Sequence, residues 1–223
     1  MTGASRPMRF YGHPFSSYCQ KALSALYEKD IPFELRMLTP EDEETAAEHA
    51  RLWPLRRMPV LVDGDRTIAE ASIIVEYLDQ RHRAGTRLLP VDPDLALDVR
   101  MLDRFFDNYV MTPMQRIVGD RIRAPEHRDA HGVAEARQQL DIAYRWLDGV
   151  LRGREWAAGD FGLADCAAAP ALFYADWVHP VGEGFPNVLA YRRRLLARPS
   201  FARAVDEARP YRPLFPSGAP DRD

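Results

Sequence analysis

Residues 59–68 read Pro59-Val60-Leu61-Val62-Asp63-Gly64-Asp65-Arg66-Thr67-Ile68. Two short apolar runs flank Asp63-Gly64. That pair suits a type I′ turn, whose central positions both take positive φ, so the stretch predicts a β-hairpin. The segments on either side decide which sheet the hairpin joins. Upstream, Met8–Gly12 is short, apolar and aromatic, as a strand should be. From Ser17 to Glu28 the apolar residues Ala22, Leu23, Ala25 and Leu26 recur at helical spacing. Phe33–Leu38 alternates as a second strand. Thr39-Pro40-Glu41-Asp42 has a hydroxyl cap, a first-turn proline and acids at the positive end of the dipole, and predicts a helix to about Arg51. Downstream, Ala71 to His82 predicts a helix with Ile73, Ile74, Tyr77 and Leu78 facing inward. The order β-α-β, helix, β-β-α predicts a four-stranded mixed sheet with helices packed on it.

Residues 83–92 hold Gly, Thr and proline with little periodicity and read as a linker. The expected division is therefore residues 1–82, a linker at 83–92, and residues 93–223. No strand signal follows. Asp92-Pro93 opens a long helix through Phe105, Phe106 and Tyr109, with a bend expected near Pro113. A second long helix is expected from about Pro125 to Arg152, and shorter ones at about Leu163–Val178, Pro186–Ala197 and Ser200–Ala208. Four prolines between Pro210 and Asp223 predict an extended tail.

Composition narrows the function classes. Hydrophobic residues make up 46% of 223, enough for a buried core. No apolar run approaches the ~18 residues of a membrane span, and Met1 to Met8 lacks the apolar stretch of a secretion signal. A net charge of −3 gives no general attraction to nucleic acid. Cys19 and Cys166 are too few for a disulfide framework and read as free thiols in a reducing, cytoplasmic setting. The histidines form no metal-binding spacing with them. Lys21 and Lys29 are the only lysines among 30 basic residues, a bias from which no function is read.

Four local motifs point further. Ser16-Ser17-Tyr18-Cys19 opens the first helix after a loop containing Pro14, with Ser16 where a Cys-x-x-Cys redox motif would carry its reactive thiol. Met58-Pro59 precedes the third strand. Glu70-Ala71-Ser72-Ile73-Ile74 opens the third helix. Gly162-Leu163-Ala164-Asp165 opens a helix of the second half. On these residues the chain resembles the soluble glutathione transferases over roughly residues 8 to 208, especially bacterial members with a serine-type or cysteine-type site. The resemblance implies a thioredoxin-like α/β N-terminal domain that binds glutathione as co-substrate, with no tightly bound cofactor. An all-α C-terminal domain would then shape a pocket for a hydrophobic electrophile.

The resemblance also implies roles for particular residues. Ser16 holds the glutathione sulfur as a thiolate, unless it serves only as a helix cap; Tyr11 is a competing donor, and Cys19 a competing nucleophile. A cis Met58-Pro59 bond presents the Met58 backbone to the cysteinyl part of glutathione. Glu70 and the helix start at Ala71 and Ser72 take the γ-glutamyl ammonium and carboxylate, although relatives carry serine where Ala71 stands. Arg57 takes the glycyl carboxylate or is a solvated charge. His13, Phe15, Phe105, Phe106, Tyr109 and Met111 line the electrophile pocket, and Asp165 is structural. A detoxifying homodimer is implied, an alkyl or aryl transferase without nucleic-acid or membrane partners. Glutathione-dependent isomerisation or dehalogenation, and a non-catalytic binding module, are the alternative readings.

Overall fold

The computed structural model describes residues 7–216 and 218–223, so the reading of Met1 to Met8 lies largely outside the described residues. The first half runs β1 (Met8–Gly12), α1 (Ser17–Glu28), β2 (Phe33–Met37), α2 (Glu43–Leu52), β3 (Val60–Asp63), β4 (Arg66–Ala69) and α3 (Ala71–Arg81). The sheet order is β2-β1-β3-β4, with β1 parallel to β2 and antiparallel to β3, and β3 antiparallel to β4. This is the mixed four-stranded sheet that the sequence predicts. Alternation sorts its faces. Met8, Phe10 and Leu61 pack into the main core with α1 and α3, whereas Tyr11, Val60 and Val62 form a smaller cluster with Leu52 and Trp53 on the α2 side.

Three local expectations for this half are corrected. Asp63 pairs with Arg66, so the hairpin loop is Gly64-Asp65, and only Gly64 has positive φ (+57°). One positive φ at the first loop position fits a type II′ turn rather than type I′. Helix α2 starts at Glu43, because the Asp42 carboxylate accepts from the Thr45 N–H at 2.9 Å and thereby becomes the cap in place of Thr39. Ile73 is 53% exposed, since the buried stripe of α3 is Ala71, Ile74, Val75 and Leu78.

The second half is helical: α4 (Pro93–Phe105), α5 (Thr112–Ile122), α6 (Ala130–Val150), α7 (Leu163–Val178), α8 (Pro186–Ala197) and α9 (Pro199–Ala208). A π-helical stretch, Phe106–Met111, joins α4 to α5 without a break. The cause is Pro113, which has no N–H to donate to the turn before it. The Thr112 hydroxyl donates instead to the Asp107 carbonyl at 3.0 Å. The expected bend is thus an extra residue in the turn. Helix α6 starts at Ala130, capped by Asp129, and not at Pro125, which begins a single 3₁₀ turn.

The two halves share their polar interior. Helix α1 packs on α3, α7 and α9. The Lys29 ammonium donates to Asp79 Oδ1 (3.0 Å) and to the Thr86 carbonyl (2.8 Å), while Asp79 also accepts from the Leu88 and Leu89 N–H groups. Next along the chain, the Leu88 carbonyl accepts from the Leu163 N–H at 2.9 Å, and a Cβ on Gly162 would lie 2.7 Å from that oxygen. The close approach explains why glycine stands at this helix cap. Asp165 accepts from the Gly162 and Ala157 N–H groups at 2.9 Å and from the Tyr191 hydroxyl at 2.5 Å, in keeping with its structural reading.

The C-terminal segment is folded rather than extended. Arg209–Leu214 forms a 3₁₀ helix, and Phe215 is buried against Phe15, Tyr174 and Trp177. Arg222 pairs with Asp176 of α7, and Asp223 pairs with Arg209 and Arg212. These charges and Phe215 outweigh the prolines.

Glu28, at the end of α1, binds Arg198 ahead of α9 and accepts from the Thr86 hydroxyl at 2.8 Å. Desolvation pushes the Glu28 carboxyl up, but the Arg198 and Thr86 hydrogen bonds outweigh it and hold the pKa below the usual value. A depressed carboxylate contributes stability that is present above its unfolded pKa and lost as pH falls through the native one. Glu28→Gln should therefore lower the unfolding free energy at pH 7 by about 1.5–3 kcal/mol. In urea titrations the gap to wild type should close as the pH drops through ~4.3 and below.

Candidate functional site

Ser16 is the N-cap of α1, and its Oγ accepts from the Cys19 N–H at 3.4 Å. Capping uses an oxygen lone pair, so the hydroxyl retains its capacity to donate. The loop before it is held from both halves: Gln20 Nε2 donates to the Pro14 carbonyl (3.1 Å), and the Tyr174 hydroxyl of α7 donates to the Phe15 carbonyl (3.0 Å). The rival groups lie elsewhere. Tyr11 is fully buried on the α2 face of the sheet, stacked on His49, and desolvation, followed by the Glu48 carboxylate, raises its pKa to about 12. Cys19 is fully buried, and burial pushes its thiol up to about 11, so it is a neutral packing group at neutral pH. It fills the space beside Gly12, where a Cβ would meet Cys19 Sγ at 2.7 Å.

A polar cleft of about 540 Å³ opens beside Ser16. Its lining combines Glu70, Ala71, Arg104, Asp107 and Asn108 with Ser16, Tyr18, Met58 and Pro59 and with Trp53, Arg56 and Arg57. The Met58–Pro59 peptide is cis. The Met58 N–H and C=O make no hydrogen bond among the described residues, which leaves backbone for an extended ligand to pair with. Glu70 sits at positive φ (+70°) as the N-cap of α3, and its carboxylate makes no capping bond. The first N–H groups of that helix have no intrahelical acceptor. Tyr18 is pushed up to about 12 by desolvation and by Asp107, so its phenol is a protonated donor.

Behind the cleft lies a charge cluster that sequence reasoning missed. Lys21, 1% exposed in the middle of α1, contacts Asp103 (2.6 Å) and Asp107 (2.9 Å) and donates to the Ser72 hydroxyl (2.9 Å). Arg104 closes the cluster onto Asp103, Asp107 and Ser72. Desolvation pushes the Asp107 carboxyl up, and Lys21 opposes it. Ser72, expected to contact a ligand, instead donates to Asp103 at 2.8 Å and is committed to this cluster. The signal was in the composition: both of the chain's lysines, Lys21 and Lys29, are buried ion-pair partners.

A second, apolar groove of about 410 Å³ meets the cleft at Ser16 and Gln115. Its walls are Phe15, Met114, Val118, Ile122, Tyr174 and Phe215. Phe15 is the one expected pocket residue among them. Phe105, Phe106 and Met111 are buried in the helical core. Tyr109 is 61% exposed and, with Phe105, Trp146 and Ile142, lines a surface hollow that shares Arg104 and Asn108 with the cleft. His13 packs edge-on against Tyr211, with its ring nitrogen accepting from the Phe15 N–H, and burial favours its neutral form. The aromatic stripe at helical spacing fills core because such rings bury large apolar area. The π-helical residue insertion shifts the helical phase, and α5 then presents Met114, Val118 and Ile122 to the groove.

Residues 10–86 match the family model "Glutathione S-transferase, N-terminal domain", and residues 105–199 match "Glutathione S-transferase, C-terminal domain". Glutathione S-transferase 3 of Zea mays is 30% identical, covering 89% of this chain and 93% of the relative. The stringent starvation protein A homolog of Haemophilus ducreyi is 28% identical, over 86% of this chain and 87% of the relative. A glutathione S-transferase structure from Methylobacterium radiotolerans, in complex with glutathione sulfonate, is 32% identical with a TM-score of 0.76, covering 89% of this chain and 94% of that one.

Lys21→Met removes the buried cation and leaves two aspartates facing Arg104 alone. The substitution should destabilise the protein by about 3–5 kcal/mol. Thermal unfolding reads the loss, and restoring a cation with Lys21→Arg should recover less than half of it, because the enclosed site has no room for a guanidinium.

Proposed function

The chain belongs to the glutathione S-transferase family, and on that premise we propose that it conjugates the thiolate of glutathione to a hydrophobic electrophile, with Ser16 as the activating donor. Glutathione is the co-substrate. The observation that carries the reading is the position of the Ser16 hydroxyl, at the start of α1 and in the lining of both the polar cleft and the apolar groove. The cleft matches the charge pattern of the tripeptide. Glu70 and the start of α3 suit the zwitterionic γ-glutamyl end, the Met58 backbone suits the cysteinyl amide, and Arg56 and Arg57 suit the glycyl carboxylate.

A free thiol has a pKa near ~8.5 and is mostly protonated at neutral pH. Lowering that value by two units takes roughly 2.7 kcal/mol of preference for the anion. A hydroxyl donor together with the positive end of α1 supplies an effect of this size. The thiolate forms a carbon–sulfur bond with an electrophile in the groove, and the leaving group departs with the displaced electron pair. The Phe15, Val118, Tyr174 and Phe215 walls favour apolar, electron-poor partners. Exposed Leu97, Met101, Ile142 and Trp146 on α4 and α6 support a homodimer. Two buried free thiols suit the reducing cytoplasm.

A second reading, a binding module without turnover, is favoured by the starvation-protein relative and by Ala71. Calorimetry with glutathione separates the two, because no heat at millimolar ligand supports the module. For the enzyme, Ser16→Ala should lower kcat/KM about a hundredfold and raise the bound thiol pKa by about two units, read by thiolate absorbance. Unchanged values would remove Ser16 from the mechanism. Phe215→Ala should raise KM for an apolar electrophile roughly tenfold, with KM for glutathione unmoved in steady-state kinetics.

A further inference from the structure

Ala71 removes a hydroxyl from the start of α3, so the carboxylate of an amino-acid ligand there loses a side-chain partner. The neighbouring Ser72 cannot replace it, because its oxygen already accepts from Lys21 and Arg104 and donates to Asp103. The cluster that occupies Ser72 also delivers a donor to the same place. Arg104, in the last turn of α4, lines the cleft with Glu70 and Ala71, and its side chain is 52% exposed. Its Nε and Nη2 are committed to Asp103 (3.1 and 2.8 Å), and Nη2 also to Asp107 and Ser72 (both 2.5 Å). Its Nη1 makes no hydrogen bond among the described residues. Lys21, 1% exposed, is sealed behind it and cannot reach a ligand.

A guanidinium clamped on one edge by three acceptors has lost its freedom before any ligand arrives. What remains is the Nη1 group, on a side chain that lines the same cleft as the start of α3 and the Glu70 carboxylate, which makes no capping bond. That is a receptor for a zwitterion. We propose that Arg104 binds the α-carboxylate of the γ-glutamyl residue of glutathione through Nη1, replacing the hydroxyl absent at Ala71, while Glu70 takes the ammonium. The assignment rests on the glutathione reading above and adds to it a ligand contact supplied by the helical half.

The test compares three peptides by calorimetry on the full chain: glutathione, γ-aminobutyryl-cysteinyl-glycine, which lacks the α-carboxylate, and glutaryl-cysteinyl-glycine, which lacks the ammonium. Wild type should prefer glutathione over the first analogue by roughly tenfold to a hundredfold. Arg104→Gln should reduce that preference to a fewfold while leaving the preference over the second analogue unchanged. Adding Ala71→Ser to Arg104→Gln should restore part of the carboxylate preference, an effect that a purely structural arginine would not produce. Arg104→Lys keeps a cation beside Asp103 and Asp107 without the fixed fork; it carries the same comparison if Arg104→Gln fails to fold, and it too should lose most of the carboxylate preference. An undiminished carboxylate preference in the folded variant overturns the assignment and leaves the glutathione reading standing. Failure of wild type to bind any of the three peptides overturns both.

Discussion

The Lys21 ammonium is buried in the middle of α1 and answered by Asp103 and Asp107 from the helical half. A charge in that position is tolerable only while its partners stay within contact distance, because an isolated ion in a protein interior carries a desolvation penalty of several kcal/mol. The pairing therefore fixes α4 and the π-helical turn against α1, and with them the width of the cleft. Ser16 begins the helix that carries Lys21, and Arg104 follows directly on Asp103. Ser16 and Arg104, both in the lining of the cleft, are thus held by one electrostatic arrangement.

Around that arrangement the labour is divided between the halves. The sheet-containing half supplies backbone and helix termini, namely the Met58 peptide and the starts of α3 and α1, together with the side chains of Ser16, Glu70, Arg56 and Arg57. The helical half supplies side chains, namely Arg104 and Asp107 on the polar side and Met114, Val118 and Tyr174 on the apolar side. The Tyr174 bond to the Phe15 carbonyl joins the two, so the loop that aims Ser16 takes its position from a residue far away in sequence.

Much of the fold was legible because its signals are local. The short apolar and aromatic run Met8–Gly12, the Asp63-Gly64-Asp65 turn, and the runs at Leu163–Val178 and Pro186–Ala197 each state their structure within a single short segment. Boundaries slipped where two caps competed, as at Thr39 and Asp42, and where proline content outweighed the ion pairs that only the folded chain shows, as between Arg209 and Asp223. Within the cleft, Ser16, Met58 and Glu70 were readable from short motifs. Arg104 and Asp107 were not, since the cluster they join is built on Lys21, far away in sequence, and the groove residues of α5 were not, since the π-helical stretch before Pro113 shifts their helical phase. Aromatic content was ambiguous: Phe106 and Met111 fill the core, whereas Phe105 and Tyr109 line a surface hollow.

One outer wall of the apolar groove is Phe215, secured by Arg222 and Asp223 at the very end of the chain. Domains emerge from the ribosome beginning with their N-terminal parts. The polar cleft, built from residues 16 to 115, can form while synthesis is still under way. The groove closes only later, once Phe215 and the ion pairs of Arg222 and Asp223 have also emerged. A newly made molecule therefore acquires its polar cleft first and a fully walled apolar groove afterwards.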